Sequence, residues 1–158
     1  MAQTSLIGQT IEDIRFHYQA ENDWGLQQFH SYLLLSNGLV VGFPVYEDDV
    51  EFNLGKTSVE YLMDQFATGQ EIDKMWQENI LGQLIEDIYF CYIGSEIDDD
   101  KKAYLKLSNN LYITETNYGP PGVANVDLII LDDRQFGIRT NELGENPKSY
   151  LKDMHNPQ

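Results

Sequence analysis

The chain has 158 residues, 42% hydrophobic and 12% aromatic, which is enough to bury a core of ordinary domain size. Its 26 acidic side chains outnumber 10 basic ones for a net charge of −16, which sets it against nucleic-acid backbones and anionic membranes. One cysteine, Cys91, excludes an internal disulfide and a thiolate metal cluster, and the absence of a signal-peptide pattern or of a run near the roughly 18 apolar residues of a membrane span leads to the expectation of a cytoplasmic chain.

The chain repeats itself. Gly8-Gln9-Thr10-Ile11-Glu12-Asp13-Ile14-Arg15-Phe16-His17-Tyr18 returns 74 residues later as Gly82-Gln83-Leu84-Ile85-Glu86-Asp87-Ile88-Tyr89-Phe90-Cys91-Tyr92, with eight of eleven positions identical. Tyr32-Leu33-Leu34-Leu35-Ser36-Asn37-Gly38-Leu39 returns after 72 as Tyr104-Leu105-Lys106-Leu107-Ser108-Asn109-Asn110-Leu111. Two blocks in the same order mark a tandem duplication of one supersecondary unit.

Ile11 to Gln19 alternates, with Ile14, Phe16 and Tyr18 on one face and Asp13, Arg15 and His17 on the other, as in a strand packed on one side. The second copy keeps Ile88, Phe90 and Tyr92 and changes the opposite face. Asn37-Gly38 between apolar runs predicts a two-residue hairpin turn with both central residues at positive φ; Asn109-Asn110 takes its place in the second copy. Each copy is therefore read as a three-stranded meander with Leu33, Leu35, Leu105 and Leu107 pointing inward.

Thr57-Ser58-Val59-Glu60 fits a capping box, and Val59, Leu62, Met63 and Phe66 follow at helical spacing up to Gly69, a helix-ending residue. Ile72, Met75, Trp76 and Ile80 predict a second helix to about Leu81. Thr116 to Gly122 is a loop, its Gly119-Pro120-Pro121-Gly122 read as a sharp bend. Val126 to Leu131 is almost wholly apolar, broken only by Asp127, and reads as a central strand covered on both faces. Ile138 is expected in a short strand, and Pro147 to Met154 in a last helical turn or two. The fold class is α+β: a mainly antiparallel sheet of six to eight strands from two tandem pseudo-symmetric β-meander units, with the central helices packed on one face. Unit one spans 6–56, linking helices 57–79, unit two 80–140 and a C-terminal tail 141–158, all in one domain.

The duplicated Glu12-Asp13 and Glu86-Asp87 cannot act as a carboxylate dyad, because strand neighbours point to opposite faces; the aspartates are expected to bond backbone amides instead. His17 and His30 lie on strands that can pair, with Asp13 or Glu12 as a third donor, but without a His-x-His or i, i+4 pair they are read as two surface histidines. Cys91 reads as a small inert residue. No nucleophile elbow, dinucleotide fingerprint or phosphate loop is present. The chain is accordingly expected to be no enzyme and to hold no metal and no cofactor.

Acidic loops remain: Glu47, Asp48, Asp49 and Glu51, and Asp98, Asp99 and Asp100 after Glu96, with Trp24, Tyr46 and Tyr118 beside or within such loops. None has the order of a calcium-binding loop. Carboxylates with exposed aromatics suit a partner rich in Arg and Lys, so these ten residues are the candidate partner-binding set.

The string Leu6-Ile7-Gly8-Gln9-x-Ile11-x-x-Ile14, followed by the Leu-x-Leu-Ser-Asn-Gly-Leu hairpin, resembles small bacterial β-rich proteins that include immunity proteins of polymorphic toxin systems. The resemblance covers the start of each unit. It implies a class only: single-domain, cytoplasmic, acidic and non-enzymatic, bound to one cognate toxin, with no residue carried over. The expected function is an immunity-type inhibitor that occludes a basic protein, with no nucleic-acid or membrane partner. A homo-oligomeric structural or accessory protein, such as a homodimer, is the alternative, and a metal-dependent hydrolase using His17 and His30 comes third.

Overall fold

Gly8 and Gly82, which open the two repeated strings, both take positive φ, 96° and 81°. In the computed structural model, which describes residues 5–19, 28–43, 45–52, 56–71, 74–98, 103–118 and 125–154 (backbone alone at 17–19, 28–30, 56–58, 116–118, 125–127 and 154), these turns meet at a pseudo-twofold axis. Thr10 and Leu84 form an antiparallel bridge. Around it Gly8 N donates to Ile85 O and Gly82 N to Ile11 O, both at 2.8 Å, and Ile11 N donates to Gln83 O as Ile85 N does to Gln9 O, both at 2.9 Å. Each bond has its mate at the equivalent position of the other repeat.

Strands β1 (Ile11–Gln19), β2 (Gln28–Leu35) and β3 (Val40–Gly42) form the first meander, and β4 (Gln70–Glu71) pairs with the free side of β1. In the second repeat, β5 (Ile85–Ile93), β7 (Tyr104–Leu107) and β8 (Tyr112–Tyr118) form the meander. The short β6 (Glu96–Ile97) pairs with β5, β9 (Asn125–Leu131) with β8, and β10 (Pro147–Ser149) with β5. All pairings among the described residues are antiparallel. Among the described residues the single sheet read from the sequence is two, of four and six strands, joined across the axis by the Thr10–Leu84 bridge. Register slips follow at equivalent places, between Ile11 and Asp13 in β1 and between Ile85 and Asp87 in β5, and a bulge of this kind bends its strand.

The duplicated aspartates secure these bulges. Asp13 Oδ1 accepts from Ile14 N and Asp87 Oδ1 from Ile88 N, both at 2.8 Å. The duplicated serines close the hairpins onto the axis: Ser36 Oγ accepts from Thr10 N at 3.0 Å and Ser108 Oγ from Leu84 N at 2.9 Å. The hairpin loops differ from the expected turn. Leu35 O accepts from Gly38 N while Leu35 N donates to Leu39 O, a three-residue loop in which Gly38 alone has positive φ, 84°. Asn110 takes the same place at 65°, a conformation asparagine tolerates.

Between the sheets lies one core. Ile11, Ile14, Leu33 and Leu35 from the first repeat and Ile85, Ile88, Leu105 and Leu107 from the second are fully buried in it, with Leu6, Val50, Ile80 and Ile113. Helix α1 (Lys56–Ala67) covers the outer face of the first sheet, where the Arg15 guanidinium lies 5.9 Å from the Phe66 ring centroid. It starts at Lys56, so Thr57 sits inside its first turn and is not its N-cap; the Thr57 side chain lies outside the described residues, and Glu60 is exposed. Gly69 serves by closeness rather than by conformation: a Cβ there would meet Arg15 Cβ at 2.8 Å and Phe16 O at 3.3 Å. Gly69→Ala should therefore cost about 1–3 kcal/mol in urea unfolding, as overpacking does.

Helix α2 (Lys74–Ile80) brings Ile80 into the core. Helix α3 (Asp133–Glu142) occupies the stretch read as a strand around Ile138. Asp132 is its N-cap, accepting from Gln135 N at 2.8 Å while Gln135 Oε1 accepts from Asp132 N at 2.9 Å, a capping box with aspartate in the threonine's role. Phe136 of α3 stacks on Tyr112 with 4.0 Å between centroids and meets Tyr89 and Tyr104 edge-on. The outer face of the second sheet is thereby covered as α1 covers the first, and Asp87 and Cys91 are buried, against the one-sided packing expected for β5.

The equivalence runs further than the repeated strings. β4 sets Glu71 opposite Arg15, and β10 sets Ser149 opposite Tyr89, the equivalent position. A helix, a glycine and a short strand thus follow the meander in both repeats. Pro147–Ser149 is strand and only Tyr150–Met154 is helical, as a π-turn. β9 is an edge strand of its sheet, not a central one; its apolar run is explained by the neighbouring β2 of the other sheet, which it lies against. Ser31 N of β2 donates to Glu115 Oε2 of β8 at 3.1 Å in the same buried seam. Burial, then Tyr61 and Glu115, push the neighbouring Tyr32 hydroxyl up to about 12.

Candidate functional site

The first acidic loop is held rigidly. Val45 and Val50 are buried on either side of it, and Leu6 N donates to Val50 O at 2.6 Å. Glu47–Asp49 forms a 3-10 turn in which Asp49 Oδ2 accepts from Tyr46 N at 2.8 Å and Asp49 N donates to Tyr46 O at 3.0 Å. Asp49 therefore holds the turn from within and is half-buried. Its carboxyl is raised above the ordinary value by burial and the adjacent Asp48, against the Tyr46 amide. Glu47, Asp48 and Glu51 remain exposed, and Tyr46 is 55% exposed beside them.

This loop faces the end of β5 and the C-terminal turn. The Tyr92 hydroxyl is raised by burial, then by Glu47 and Asp153; that of Tyr150 by burial, then by Glu51 and Glu47. Lys148 Nζ lies 4.9 Å from the Tyr92 ring centroid. Asp98 joins the same end of β5, its N–H donating to Cys91 O at 2.8 Å. The fold thus brings Tyr46, Glu47, Asp48, Glu51 and Asp98 around the end of one strand. Trp24, Asp99 and Asp100 lie outside the described residues, as does the side chain of Tyr118, whose backbone ends β8.

Sequence reasoning missed Tyr92, Lys148, Tyr150 and Asp153. Tyr92 has a signal, since it is duplicated, but strand alternation places it on the core face. The other three stand in a stretch read as a tail, and nothing local marks them as neighbours of Glu47.

The remaining candidates are structural. Asp87 accepts from Ser149 Oγ and from the amides of Ile88 and, at 3.3 Å, Leu151, in a buried cluster where Ser149 Oγ in turn accepts from Lys152 N at 3.1 Å. Asp13, its equivalent, is exposed enough to pair with Arg15 Nε at 3.2 Å. Cys91 is 1% exposed, out of reach of a substrate. Among the described residues no group of three His, Cys, Asp or Glu could hold a metal ion, and no helix is long and apolar enough to cross a membrane. No protein-family model, curated protein or solved structure matches the chain.

Proposed function

We propose that this chain is a non-enzymatic acidic binding domain, an immunity-type inhibitor that occludes a basic protein partner with the face around Tyr46, Glu47, Asp48, Glu51 and Tyr92. The observation that supports this reading is Lys148 over the Tyr92 ring, with Glu47 and Asp153 close enough to perturb the phenol. That arrangement is an intramolecular sample of what a partner's Lys or Arg would find: an aromatic face and carboxylates at once. The loop is rigid, so little ordering entropy is lost on binding. The net charge of −16 adds a field that steers a basic partner inward.

Association should then be fast at low salt and slow as the Debye length falls from about 10 Å at 0.1 M to about 3 Å at 1 M. Glu47→Lys with Asp48→Lys should lower the association rate by about tenfold or more and flatten its salt dependence. The check is capture of basic proteins from the native lysate by the natural and the charge-reversed chain, followed by rate measurements on whichever protein is held. A partner bound equally by both chains would remove this face from consideration.

A further inference from the structure

Lys148 already occupies the ring that the acidic face offers to a partner. β10 pairs with β5 so that Lys148 stands opposite Phe90, and the side of β5 that carries Phe90 also carries Tyr92. The Lys148 ammonium lies 4.9 Å from the Tyr92 ring centroid. We infer that the basic partner seats a lysine or arginine side chain on the Tyr92 ring in place of Lys148, whose ammonium holds that position in the free chain. This rests on the binding role proposed above and adds which contact forms and what must leave for it.

The fold does not require a lysine there. In the first repeat the equivalent strand β4 sets Gln70 opposite Phe16, as β10 sets Lys148 opposite Phe90. The backbone around Lys148 is pinned on both sides. Asp87 accepts from Ser149 Oγ, Asp153 Oδ2 accepts from Ser149 N at 2.9 Å, and Tyr92 N donates to Asn146 O at 2.9 Å. Exchange therefore asks only for rotation about the flexible four-carbon stem of the lysine. Lys148 and Tyr92 are both half-buried, and Ile93 at the end of β5 is 69% exposed, so a partner reaches this end of the strand. A cation–π contact at such a site is weak enough to be exchanged for another.

Charge favours the incoming cation. Glu47 and Asp153 bear on the Tyr92 phenol, and Glu51 and Glu47 on that of Tyr150. Against these three carboxylates stand the ammonium groups of Lys148 and of the exposed Lys152 on the following turn, so the face stays negative with Lys148 in place. The Tyr92 ring and the carboxylates together thus present a place for a cation and a surplus of charge to draw one in.

The test uses the full chain and an oligolysine peptide, read by NMR at the Tyr92 ring protons, which report this face among all the acidic surfaces the peptide touches. In the free chain the Lys148 ε-methylene protons should be shifted upfield by the ring beneath them, and at saturation they should move to the position of an exposed lysine. Lys148→Gln, which places the first repeat's own residue there, should tighten the peptide at Tyr92 by about twofold to fivefold, the scale of one exposed cation–π contact. Lys148→Arg keeps a cation on the ring and should match the natural chain. Lys152→Gln removes the same unit of charge without emptying the ring and should tighten binding less. Lys148 protons still shifted at saturation, or Lys148→Gln binding no tighter than Lys152→Gln, would overturn the exchange while leaving a cation-binding face in place. Tyr92 protons unmoved by peptide in the natural chain and in Lys148→Gln alike would overturn the exchange and the binding role together.

Discussion

Ile85→Ala should lower the stability of the chain by about 2–5 kcal/mol, and Ile11→Ala should lower it by nearly the same amount. Both side chains are fully buried beside the pseudo-twofold axis, and both backbones make the same reciprocal bonds there. Shortening either one leaves a cavity between two sheets that the Thr10–Leu84 bridge holds at fixed separation, so the walls have little freedom to collapse. Against a typical total of about 5–15 kcal/mol, each loss is a large fraction. Urea unfolding of the two variants measures it. A cost near zero for one and several kcal/mol for the other would mean that the axis is not energetically symmetric, whatever its geometry.

The reverse is expected of the aspartates. Asp13 and Asp87 are identical in sequence context but not in surroundings. Removing the Asp87 carboxylate strands the Ser149 hydroxyl and the amides of Ile88 and Leu151 in a site where Asp87 is 6% exposed. Unsatisfied buried donors cost ~1–3 kcal/mol each before relaxation, so Asp87→Ala should cost about 2–4 kcal/mol. Asp13→Ala loses one amide bond and a half-exposed ion pair with Arg15, together about 1 kcal/mol or less. Asp87→Ala should also speed amide exchange in β10 and the following turn, which Asp87 ties to β5. Equal losses in the two variants would show that the buried cluster with Ser149 contributes nothing beyond the bulge.

The sequence made the duplication legible because the conserved letters are the ones the backbone cannot do without. Gly8, Asp13 and Ser36 have fixed tasks, a positive φ, a bulge amide and a hairpin closure, and each task admits few side chains. The helices and trailing strands are also duplicated in space but not in letters. Covering a sheet face asks only for apolar residues at helical spacing, and Phe66 under Arg15 meets that need as well as Phe136 under three tyrosines. Val126 to Leu131 misled because an apolar run reports burial and not position in the sheet; here the cover comes from the opposing sheet. Of the candidate site, the exposed carboxylates were legible as a charged loop. The internal task of Asp49 was hidden, since a capping carboxylate and a free one look alike in sequence. The proximity of Tyr92 and Tyr150 depends on how two distant repeats pack, which no local pattern encodes.

The bonds across the axis have a further consequence, for the order of folding. Within each repeat the hairpins join neighbours along the chain, whereas the rungs linking Gly8 to Ile85 and Gly82 to Ile11 join residues far apart in sequence. Closing long loops costs entropy before any contact compensates for it, so local hairpins form early and distant pairings late. The two meanders are therefore expected to be present in rudimentary form before they meet, and the docking of one repeat on the other to be the slow step. Until that moment the apolar inner face of each lies open to the solvent.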